Sequence, residues 1–67
     1  MNEAIILNGH PVPLEQTTLG QLVAARIPET RRVAVALNGT VAPRGAWSGT
    51  HLHPGDRVEI IKITVGG

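Results

Sequence analysis

The residues of this chain best placed to do chemistry are its last two, Gly66 and Gly67. A β-branched run over 58–65 contains nothing that breaks a strand. It passes straight into two residues without Cβ, where the chain is expected to end. Such an end leaves the α-carboxylate on a thin stalk, and Thr64 to Gly67 fully extended reach roughly 13 Å. Either that carboxylate is the reactive group and the domain is its handle, or 66–67 is a frayed end of the kind common in tails.

The other reactive side chains form weaker sets. His51 and His53 alternate so as to share a strand face. With no third His, Cys or acidic ligand at useful spacing, no metal site is expected there. Ser48 is the only serine, and no spacing sets a histidine beside it, so there is no nucleophile–base pair. Arg31-Arg32 are the only adjacent bases in a chain of net charge +1, and Trp47 is the only aromatic residue. A nucleic-acid surface wants a basic stripe with stacking aromatics, and none is expected. Trp47 reads as a plug for one end of an aliphatic core, and Arg44 as a solvated loop cation.

The elements that must position the terminus follow from local signals. At 67 residues, with no cysteine, the chain makes one small domain held by aliphatic packing. No apolar run approaches the roughly 18 residues of a membrane span, and the first residues show no basic-then-apolar leader. A cytoplasmic protein with no membrane association is expected. Residues 4–7 form a short strand and Asn8-Gly9 a hairpin turn. The return strand over 10–14 carries Pro11 and Pro13, which restrict it to a sheet edge. Thr18 and Gln21 make a capping box, and Leu19, Leu22, Val23 and Ile27 form one buried helical stripe. Gly20 weakens that helix by up to roughly 1 kcal/mol relative to Ala, and Pro28 ends it.

Residues 33–37 read as an interior strand turned by Asn38-Gly39, with an irregular stretch over 41–47 and a brief strand over 50–53. Pro54-Gly55-Asp56 then turns the chain into the last strand. One helix must cover one face of one mixed sheet, because a single layer cannot bury its apolar side. The expected fold class is α+β, a ubiquitin-like β-grasp. It forms one domain over 1–67 with a Gly-Gly tail at 65–67.

Several stretches match a known family together. Ala36-Leu37-Asn38, Val41-Ala42-Pro43-Arg44, Trp47, Leu52, Gly55-Asp56, Val58-Glu59-Ile60 and Val65-Gly66-Gly67 resemble the sulfur carrier of thiamine biosynthesis. The resemblance implies that an adenylating, E1-like enzyme uses ATP and Mg²⁺ to activate the C-terminal carboxylate. Sulfur from a cysteine desulfurase or another persulfide donor then displaces AMP and leaves a thiocarboxylate, which thiazole synthase takes for the thiazole ring. On this chain Gly67 would bear the sulfur and Gly66 would be the slim neck. The protein would bind no cofactor and be a co-substrate, not an enzyme.

The physics agrees with those roles. A free carboxylate is ionised at neutral pH and is a poor electrophile, so adenylation is what opens it to sulfur. Glycine lets the end enter a narrow site, and a chain without cysteine has nowhere else to hold sulfur. The prolines at 11 and 13 fit the family's second strand awkwardly.

Alternation in the last strand puts Val58, Ile60 and Lys62 on one face and Glu59, Ile61, Ile63 and Val65 on the other. If the first set packs under the helix, Ile61 and Ile63 are apolar on the open face. Either the 41–53 segment covers them, or with Val65 they form a docking patch for the activating enzyme and the synthase.

Three other functions share parts of this pattern. The small subunit of molybdopterin synthase has the same fold and ending, but its Pro-rich approach to the tail has no counterpart in Ile61-Lys62-Ile63-Thr64. A protein modifier would join Gly67 to lysine through an isopeptide bond. A plain interaction module would carry an inert tail.

Overall fold

The computed structural model describes residues 3–27 and 32–63. Both Asn-Gly pairs turn the chain sharply. Asn8 and Gly9 have φ of 50° and 83°, and Asn38 and Gly39 have 52° and 85°. Positive φ at both central positions is the two-residue turn whose twist suits a hairpin, and Asn tolerates it where most side chains do not. The first turn joins β1 (Ala4–Leu7) to β2 (His10–Pro13), and the second joins β3 (Val33–Leu37) to β4 (Thr40–Ala42).

The last strand, β5 (Arg57–Lys62), inserts between the two hairpins. The sheet order is β2-β1-β5-β3-β4, with β5 parallel to β1 and antiparallel to β3. The strand that comes last in sequence order therefore supplies the middle of the sheet. The proline-bearing β2 lies at an edge, as required of it. His10 pairs with Leu7, Val12 pairs with Ile5, and Leu14 donates to the Glu3 carbonyl at 2.9 Å, so the alternating Pro11 and Pro13 fall where an N–H would point away from β1.

The fourth strand departs from the sequence expectation. It occupies Thr40–Ala42, overlapping the start of the stretch expected to be irregular, while 50–53 is not a strand. There His51 makes an isolated bridge to Thr18, flanked by Leu19 N–H to Thr50 O at 2.8 Å and Leu52 N–H to Thr17 O at 2.9 Å. This pairing ends at once because the helix begins at Leu19 on one side and Pro54 follows on the other.

Helix α1 (Leu19–Arg26) starts as its capping box specifies. Gln21 N–H donates to Thr18 Oγ1 at 3.2 Å, and Gln21 Oε1 accepts from the Thr17 and Thr18 amides at 2.9 and 3.3 Å. It stops at Ile27, held at φ −128° and ψ 91°, as a residue before proline prefers. Leu19, Leu22 and Val23 are buried against Ile5 of β1, Val33 and Val35 of β3, and Val58 and Ile60 of β5. Each such side chain contributes about 1.5–3 kcal/mol by leaving water.

A 3₁₀ helix (Arg44–Gly49) closes the open end of this core with Trp47, which is buried and donates its indole N–H to the Ala42 carbonyl at 2.8 Å. Arg44 is not merely solvated: its guanidinium lies 5.0 Å from the Trp47 ring centroid.

Gly20 has a structural reason as well as a helical cost. A Cβ there would sit 3.4 Å from Ser48 N and from Trp47 C. Gly20→Ala is expected to melt near the wild-type temperature, its gain in helix propensity offset by that contact. Gly20→Val must push the 3₁₀ backbone away and is expected to lose about 1–3 kcal/mol. Thermal denaturation decides the matter, and an unshifted midpoint for Gly20→Val would contradict so close an approach.

Candidate functional site

The strand that leads to the terminus is anchored on both sides. On the β3 side Asn38 brackets its start: Asn38 N–H donates to Arg57 O at 2.7 Å, and Asn38 Oδ1 accepts from Arg57 N–H at 2.8 Å. The same side chain donates to Asp56 Oδ1 at 3.1 Å, while Asp56 Oδ2 accepts from the His53 amide at 2.8 Å. These bonds, with Gly55 at φ 86°, close the Pro54-Gly55-Asp56 turn. On the β1 side Ile6 N–H donates to Asp56 O and Asn8 N–H to Val58 O, both at 2.8 Å.

Along β5 the two faces separate as alternation requires. Val58 is fully buried and Ile60 is 9% exposed, whereas Ile61 and Ile63 are 57% and 50% exposed. The segment that was to cover those isoleucines does not reach them. Its Trp47 packs into the core, and its backbone lies against Gly20 on the helix side. Among the described residues nothing covers the open face.

Register adds a residue that the sequence reading missed. Ala34 pairs with Ile61, and Ala36 pairs with both Glu59 and Val41, so Val41 shares this face. It is 72% exposed. The small side chains of Ala34 and Ala36 lie between Val41 and Ile61, giving a shallow apolar surface with Ile63 beyond. The signal was the second Asn-Gly pair, which demands a return strand beginning at residue 40.

Val65, Gly66 and Gly67 lie outside the described residues, as does Arg31. His51 and His53 do not share a strand face, since 50–53 is not a strand. His53 is exposed and lies 3.8 Å from Asp56 through Nδ1. Among the described residues no group of three or more His, Cys, Asp or Glu is arranged to hold a metal. Nor is any helix among them long and apolar enough to cross a membrane.

Comparison with known proteins fits this geometry. The ThiS family profile matches residues 3–67. A crystal structure of the thiamine biosynthesis protein ThiS from Geobacter metallireducens is 29% identical, with a TM-score of 0.81 over 96% of this chain and 99% of that one. A solution structure of a thiamine biosynthesis protein from the same organism is 31% identical, with a TM-score of 0.74 over 100% of this chain and 88% of that one. None of the curated proteins compared with the chain matches it. With a family match that runs through the terminal Gly-Gly and a helix-covered sheet superposing on such structures, the chain belongs to the ThiS family of ubiquitin-like β-grasp sulfur carriers.

Proposed function

We propose that this protein carries sulfur on the carboxyl group of Gly67 for thiamine biosynthesis. The family match running through Gly66-Gly67 is the observation that carries the proposal. In the first step a carboxylate oxygen attacks the α-phosphorus of ATP held with Mg²⁺ on an E1-like partner, and pyrophosphate leaves. The terminal sulfur of a persulfide, supplied by a cysteine desulfurase or a similar donor, then attacks the acyl carbon and expels AMP. A thiol reduces the resulting S–S bond, leaving the thiocarboxylate that thiazole synthase consumes. These steps proceed in the cytoplasm, and the catalytic groups belong to the partners.

The exposed face of Ile61, Ile63 and Val41 is the docking surface in this scheme, and Val65, which lies outside the described residues, is assigned to it by sequence alternation alone. Exposed aliphatics grouped on one sheet face lose contact with water when a partner covers them. Gly66 keeps the neck narrow enough to enter the partner's site.

Intact-mass analysis of native, untagged protein from thiamine-starved cells tests the proposal. A fraction of the chain is expected to carry one oxygen-to-sulfur exchange, localised to Gly67 by tandem fragmentation. Added sulfur at any other residue, its absence under starvation, or lysine-linked adducts of higher mass would count against it.

A further inference from the structure

We infer that Asn8 is a positioning residue for the reactive terminus, holding β5 at the last point where that strand is bonded on both sides. The inference rests on the carrier function proposed above. Strand β1 ends at Leu7, which pairs with Val58, and the main chain then leaves the sheet at Asn8. A longer β1 would have offered its next rung to Ile60. The Asn8 side chain supplies that rung instead. Its Oδ1 accepts from Ile60 N–H at 2.8 Å, and its Nδ2 donates to Ile60 O at 3.3 Å.

A carboxamide has a donor and an acceptor side by side, as a peptide group does, so it can stand in for the missing backbone. Asparagine also tolerates the φ of 50° that the turn demands. Glycine meets only the second requirement, and aspartate meets the second and half of the first. Past this point, among the described residues, β5 is held from one side alone. Ala34 pairs with Ile61, Val33 with Lys62, and Ile63 N–H donates to Arg32 O at 2.8 Å.

Geometry makes this rung matter for the chemistry. Gly67 lies seven residue steps beyond Ile60, a reach of about 23 Å when extended. With the tail extended in a partner's site, a tilt of about 10° at Ile60 displaces the carboxylate by about 4 Å. Attack on a phosphorus tolerates far less than that. Asn38 makes the matching side-chain bond at the other end of the strand, to Arg57 N–H. It lies upstream of the buried Val58 and Ile60, whose packing isolates it from the terminus.

The test compares Asn8→Gly and Asn8→Asp with Asn38→Gly in the full chain. ATP–pyrophosphate exchange is measured with the pathway's adenylating enzyme, well below each variant's melting temperature, beside amide hydrogen exchange at Ile60. Asn8→Gly is expected to lower kcat/KM about 10–100-fold and to speed exchange of the Ile60 amide. Asn8→Asp keeps the acceptor for that amide and should fold and fall between the two. Asn38→Gly loses a comparable bond and some melting temperature, yet should keep wild-type kcat/KM. A wild-type rate from either folded Asn8 variant, or an equal loss in Asn38→Gly, overturns the inference alone. No exchange with the wild-type chain overturns the carrier function, and this inference with it.

Discussion

Deleting Gly67, or adding one residue after it, is expected to abolish adenylation while leaving the melting curve nearly unmoved. Two glycines have no side chain to take out of water, so their loss removes almost no hydrophobic stabilisation. The chemistry depends on them entirely. Deletion draws the carboxylate back by roughly 3.5 Å, more than in-line attack on a phosphorus tolerates. Extension is worse in kind, because it places an amide where the nucleophile must be. Gly66→Val should be severe for a different reason: a β-branched side chain thickens and stiffens the neck that enters the partner's site. The measurement is ATP–pyrophosphate exchange with the cognate activating enzyme, run beside thermal denaturation of each variant. A folded, C-terminally extended chain that still exchanged at the wild-type rate would rule out Gly67 as the reactive end.

The second large effect is expected on the open face of the sheet. Changing Ile61 and Ile63 together to Ser should weaken binding to the adenylating enzyme, with the larger loss when Val41→Ser is added. Stability should barely move, because these side chains are already half or more exposed. The contrast lies one residue away in the strand. Val58→Ala and Ile60→Ala remove groups packed beneath α1 and should lose about 1–4 kcal/mol by leaving cavities. Calorimetric titration against the enzyme and melting of the same preparations separate the two effects. Should the Ile61/Ile63 double variant melt far below wild type, the face carries stability and not docking.

Local chemistry in the sequence by itself determined a good deal of this protein. Asn8-Gly9, Asn38-Gly39, the Thr18–Gln21 capping box and the Ile27-Pro28 stop each act within a few residues, so their consequences are legible without a fold. The period-two pattern of β5 separates Val58 and Ile60 from Ile61 and Ile63 for the same reason. The resemblance carried by Pro43-Arg44, Trp47, Gly55-Asp56 and Gly66-Gly67 points to the family that the match over residues 3–67 establishes.

Tertiary structure decided what depends on distant partners. Residues 40–42 and 50–53 are both short and mix polar with apolar side chains, and only the availability of the β3 edge made the first a strand. Trp47 folding back over Gly20 removed the segment that could have covered Ile61 and Ile63, so the bare face is a product of packing. The side-chain rung from Asn8 to Ile60 spans a sequence separation of 52 residues. No local signal announces such a bond: an asparagine in a hairpin turn looks the same whether its amide meets water or a strand. That strand reaches Asn8 only because the sheet draws the last strand between the two hairpins, where burying Val58 and Ile60 on one face and pairing both edges satisfies the most apolar surface and backbone at once.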